Sequence, residues 1–146
     1  MPSDLAYRLS EGMSAFCRAN MNRKSNLPIR SSEMRALIFI TLNAGDIGVR
    51  AVELSDYFGI QKSSVSSIIA SLEKQGYVKR TLSENDKRNS PLFPTKRGTK
   101  LVNETIEEYH RISNRLIDII GIKKSEEFLQ ILNMAAKIIQ NGDVNL

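Results

Sequence analysis

The sequence predicts a mainly α-helical single domain with one small β-hairpin, and three observations predict it. Apolar residues recur at spacings of three and four through most of the chain. That period gives way to alternation only around residues 77–94. At 146 residues, 41% hydrophobic and 25% charged, the chain has the composition of one globular unit with its own core and no room for a separate catalytic domain.

Taken in order, Leu5, Leu9, Met13, Phe16 and Met21 share one face of a helix over residues 4–23. The polar stretch RKSNLPIR, with Pro28, breaks helical order, and Ser31 or Ser32 is expected to cap a second helix to residue 43. Met34, Leu37, Ile38, Ile40, Thr41 and Leu42 make that helix apolar on most sides, so it should lie in the core. Gly45 and Gly48 open a loop in which AGDIGV has room for a short edge strand. Helices over 51–58 and 62–75 follow, separated by Gly59-Ile60-Gln61, where Gly59 meets the need for a left-handed residue. Val52, Leu54, Tyr57, Phe58, Ile60, Val65, Ile68, Ile69 and Leu72 supply their apolar faces.

After Gly76 the β-branched and aromatic run from residue 77 to 82 reads as a strand, SENDKRN as a turn, and residues 90–94 as a return strand kept at an edge by Pro91 and Pro94. Thr95 caps a long helix to about residue 120, Gly121 interrupts, and a last helix is expected over 125–140. A short helix, a tight turn, a longer helix and a hairpin make a winged helix-turn-helix over residues 31–99. Residues 1–30 and 100–146 flank it. Ile106, Tyr109, Ile112, Leu116, Ile117 and Ile120, then Phe128, Leu129, Leu132, Ala135, Ile138 and Ile139, offer more apolar face than so small a core requires, which predicts dimerisation helices and a homodimer.

Charge is concentrated in the middle of the chain. Residues 50–100 hold ten bases and five acids, an excess that equals the whole net charge of +5. Localised positive charge is the footprint of a polyanionic partner, although a merely solvated surface would look the same on charge alone. The opening MPSDLAYRLSEGM lacks the basic-then-apolar pattern of an export signal, and no stretch approaches the roughly 18 apolar residues of a membrane span. A cytoplasmic protein without a membrane partner is therefore expected. With one cysteine and one histidine, neither a disulfide nor a metal cluster is expected, and no cofactor-binding motif is visible. Neighbouring acids such as Glu107-Glu108 and Glu126-Glu127 diverge on a helix, so no catalytic pair is predicted and the chain is not read as an enzyme.

The helix starting at Lys62 is the candidate reader of duplex DNA. Val65, Ile68, Ile69 and Leu72 turn inward, leaving Gln61, Lys62, Ser63, Ser64, Ser66 and Ser67 near its outward N-terminal end. Small hydroxyls allow close approach and are expected to donate to phosphates or base edges, while the helix N-terminus favours an anion. The same serines would also suit a solvated surface helix. Arg88 at the hairpin tip, with Lys87, is placed to enter a minor groove, and Asp86 to orient it. Arg50, Arg80 and Lys96 are the candidate phosphate contacts.

These residues together resemble the multiple-antibiotic-resistance regulator (MarR) family. The resemblance runs through Val52-Glu53-Leu54-Ser55, Gly59-Ile60-Gln61-Lys62-Ser63-Ser64-Val65-Ser66, Leu72 to Arg80, Asp86-Lys87-Arg88 and Pro94-Thr95-Lys96-Arg97-Gly98. It implies a dimer with interlocked terminal helices, a recognition helix in the major groove, a wing arginine in the minor groove, and repression from a pseudo-palindromic operator relieved by a small effector or oxidation. The chain departs from the pattern at Arg50 and Gln61, where capping hydroxyls are common, at Ser67, often arginine, and at Pro94, often leucine. Cys17, at the edge of the first helix's apolar face, is expected to be a buried thiol, because the sensing position of peroxide-responsive relatives falls near Tyr7. His110 is expected in the core or in solvent, with a ligand cleft as the alternative. A winged helix used for protein assembly without DNA remains the rival reading of the whole.

Overall fold

The computed structural model describes residues 3–81 and 89–142. Its order is α1 (Asp4–Met21), α2 (Ser31–Asn43), α3 (Ala51–Phe58), α4 (Lys62–Lys74), β1 (Val78–Arg80), β2 (Leu92–Pro94), α5 (Lys96–Ile120) and α6 (Ile122–Asn141). The strands pair antiparallel in the register Val78↔Pro94, Lys79↔Phe93 and Arg80↔Leu92. Val49 adds a single bridge to Leu92, which is as far as the expected edge strand before α3 extends.

Local chemistry accounts for the breaks. Ser3 Oγ accepts from the Ala6 amide and starts α1. Neither Ser31 nor Ser32 caps α2: the N-cap is Arg30, whose amide donates to Glu33 Oε2 at 3.1 Å. At the start of α3 the same device recurs, with the Arg50 amide donating to Glu53 Oε2 at 2.6 Å. An acid three residues in satisfies the exposed amide from inside the helix, so the cap position is free to carry an arginine. Gly59 closes α3 at φ 61°, and Ser55 Oγ donates to the Ile60 carbonyl, fixing the turn into α4. Thr95 Oγ1 accepts from the Gly98 amide and donates to the Gly76 carbonyl, so one hydroxyl caps α5 and anchors it to the hairpin base. Gly98 itself lies so close to the Tyr77 carbonyl and Leu37 that no Cβ fits there.

The core lies between residues 29 and 102. Met34, Leu37 and Ile40 from α2, Leu54 from α3, Val65, Ile69 and Leu72 from α4, Val78 and Leu92 from the hairpin and Val102 from α5 are buried together. Leu42, expected there, is 70% exposed because it shares a side of α2 with exposed Arg35, so this helix is not buried all round. Tyr57 is likewise exposed, and α6 starts three residues earlier than expected, directly after Gly121. No residue of α1 or α6 is buried. Cys17, expected to be buried, is exposed in the single chain because α1 has nothing packed over its apolar face.

Candidate nucleic-acid interface

One face of α4 docks the helix and the other stands in solvent. Val65, Ile69 and Leu72 are buried, each worth about 1.5–3 kcal/mol relative to exposure. Gln61, Lys62, Ser63, Ser64, Ser66 and Ser67 are all exposed. Gln61 is the N-cap and makes no side-chain cap hydrogen bond, so the first amides of α4 are not closed off by it. Two of the four hydroxyls bond to their own helix. Ser66 Oγ donates to the Lys62 carbonyl at 2.9 Å and Ser67 Oγ to the Ser63 carbonyl at 3.1 Å. A hydroxyl bonded this way keeps lone pairs free to accept, and rotation about its C–O bond turns the proton to an outside acceptor when one is present.

Of the bases expected at phosphates, Arg50 is exposed at the N-cap of α3 and Lys96 is exposed as the first residue of α5. Arg80 is a different case. Its Nε donates to Glu73 Oε1 at 2.6 Å with both side chains about a third exposed or less, so it clasps β1 to the end of α4. Exposed Lys74 and Lys79 stand on the same two elements, a positive surface beside the clasp. Asp86, Lys87 and Arg88 lie outside the described residues. Among the described residues no group of His, Cys, Asp and Glu is arranged to hold a metal ion, and no helix is long and apolar enough to cross a membrane.

Sequence reasoning missed a polar cluster behind α4. Glu33 is 6% exposed, one of only two buried polar residues among those described. Its Oε1 accepts from Ser71 Oγ at 2.5 Å, and Gln75 Nε2 donates in turn to Ser71 Oγ at 3.0 Å. Burial raises the pKa of this carboxyl, but hydrogen bonds from Ser71, the Arg30 amide and Gln75, with the Arg30 charge, outweigh burial and hold it below the ordinary 4.5. The Arg30-x-x-Glu33 spacing was the available signal for the cap; nothing in the sequence pointed to Ser71. A second missed feature is aromatic. Arg35 stacks over Phe58 at 4.4 Å, and Phe39, Tyr57 and Phe58 pack ring to ring beside it.

Residues 26–89, the whole helix-turn-helix with the stretch leading into the wing, match the family model described as "MarR family". This stretch belongs to the MarR family. Two curated relatives agree in kind. An uncharacterized HTH-type transcriptional regulator, YfiV of Bacillus subtilis, is 23% identical over 116 residues, 80% of this chain and 71% of that protein. Transcriptional repressor MprA of Escherichia coli is 26% identical over 101 residues, 68% of this chain but only 57% of that protein. The MarR architecture extends past the matched stretch. A MarR/EmrR family regulator from Acinetobacter superposes with TM-score 0.71 at 16% identity, covering 96% of this chain and 99% of that one. FabT of Streptococcus pneumoniae, solved in complex with DNA, superposes with TM-score 0.66 at 19% identity over 94% and 99%. At these identities the likeness shows the fold, including the terminal helices outside the winged helix.

Proposed function

We propose that the chain is a transcriptional regulator that reads duplex DNA as a homodimer and represses from a pseudo-palindromic operator. The observation that carries this is the two-sidedness of α4: a helix held by three buried apolar residues presents an exposed N-terminal face of Gln61, Lys62, Ser63, Ser64, Ser66 and Ser67. That face sits in the one third of the chain that holds the entire net charge. Small side chains on its outer face suit a helix of this form to close approach in a major groove, and Arg50 and Lys96 supply phosphate contacts at two helix starts in this proposal. Arg88 is the wing contact in this proposal, with Lys87 beside it and Asp86 as its orienting partner.

Dimerisation is supported by α1 and α6, which carry Leu5, Leu9, Met13, Phe16, Leu129, Ile131 and Ile139 exposed on helices with no buried residue. Two copies joined there hold two α4 helices at a fixed spacing. Repression is favoured because one curated relative is named a repressor. Relief of repression by a small effector is carried into this proposal from the family resemblance alone. The proposed partner implies a cytoplasmic protein with no catalytic role.

Titration of random duplex DNA with increasing salt tests the proposal. Binding should fall steeply with salt, and Arg88→Ala should weaken it. If no duplex binding is detected at low salt, the winged helix serves protein assembly instead.

A further inference from the structure

Apolar packing holds α4 against the core through a non-directional driving force, and directional hydrogen bonds add to what packing fixes of the helix's rotation and tilt. Beside the Arg80–Glu73 clasp to β1, the directional contact between α4 and α2 comes from one buried carboxylate. Glu33 Oε2 takes the Arg30 amide at the start of α2, and Oε1 takes Ser71 Oγ from the last turns of α4. A single side chain thus ties the first turn of one helix to the far end of the other. Gln75, one turn beyond Ser71, closes the cluster by donating to both the Ser71 hydroxyl and the Ser71 carbonyl. The group is ionised at neutral pH, so its hydrogen bonds are the charge-assisted kind, and the one from Ser71 is short.

Resting on the DNA-reading proposal above, we infer that Glu33 is a positioning residue that sets the pose of α4 in the groove while touching no DNA itself. Ser71 lies eight residues from Ser63, about 12 Å along the helix axis. A tilt of about 5° at Ser71 therefore moves the N-terminal face by about 1 Å, twice the tolerance of roughly 0.5 Å that a built site allows. Long, flexible bases at phosphates absorb such a shift, whereas short serine side chains at base edges do not. Loss of the tie should consequently cost sequence discrimination and leave non-specific binding in place.

The test compares affinity for a duplex recovered by selection from a random pool with affinity for an unselected random duplex of equal length. Ser71→Ala removes one end of the tie without changing charge and should lower the ratio of the two affinities about tenfold. Random-duplex affinity and its salt slope should stay within about twofold of the parent. Ser71→Thr, which keeps the hydroxyl, should restore the ratio, and Glu33→Gln should lower it as Ser71→Ala does. Variants that melt earlier yet keep the parental ratio would reduce Glu33 to a stabilising role and overturn the inference alone. A parent protein that enriches no duplex would overturn the DNA-reading proposal and this inference with it.

Discussion

The segment from Ile29 to Val102 and the helices outside it differ in one respect that organises the molecule. The first contains every buried apolar residue among those described, drawn from four helices and the hairpin. The second, made of α1, α6 and the far half of α5, is comparably apolar in sequence and buries none of it in the single chain. Exposed apolar surface of this extent marks an interaction site, and in the dimer proposed above it is where the two copies join. Stability and function should therefore respond to different substitutions in the two regions.

The largest effect belongs to the core. Leu72 is fully buried beneath α4, and Leu72→Ala should lower unfolding free energy by about 3 kcal/mol in urea titration, with loss of DNA binding following from unfolding. Substitution in the other region should separate the two properties. Leu9 and Leu129 are more than half exposed, so Leu9→Asp with Leu129→Asp should leave the winged helix folded yet yield a monomer by sedimentation. Operator affinity should fall about 100-fold as the second half-site contact is lost.

A smaller effect tests the polar tie within the folded region. Because the folded pKa of Glu33 lies below its ordinary 4.5, its stabilising contribution is present above that value and is lost as pH falls through the lowered folded pKa. The gap in urea midpoint between the parent and Glu33→Gln should thus be full at pH 7 and narrow progressively below pH 4.5. A gap constant across that range would mean the carboxylate charge contributes nothing. Smallest is the exposed face of α4. Ser66→Ala should raise stability slightly, by about 0.5 kcal/mol of helix propensity, while weakening discrimination at the operator. That opposition of sign marks a residue kept for contact and not for folding.

Much of this is legible in the sequence. Gly59 and Thr95 announce their turns through backbone need and capping chemistry, and the apolar spacing of Val65, Ile69 and Leu72 defines which face of α4 is left over. What escaped depends on partners far apart in the chain or on proton direction. Ser71 meets Glu33 across 38 residues, Arg80 is engaged by Glu73, and the hydroxyls of Ser66 and Ser67 turn back to their own helix. Leu42 was misplaced for a related reason, since composition shows that a helix is apolar but not how wide its buried face is. The wing residues Asp86, Lys87 and Arg88 rest on sequence alone, lying outside the described residues.

Selection of bound duplexes from a random pool tests the central claim most directly. Two α4 helices held by paired terminal helices predict an enriched pseudo-palindrome whose half-sites are centred about 10 base pairs apart. Enrichment of a single, unrepeated half-site would contradict the dimer, and no enrichment at low salt would contradict DNA reading altogether.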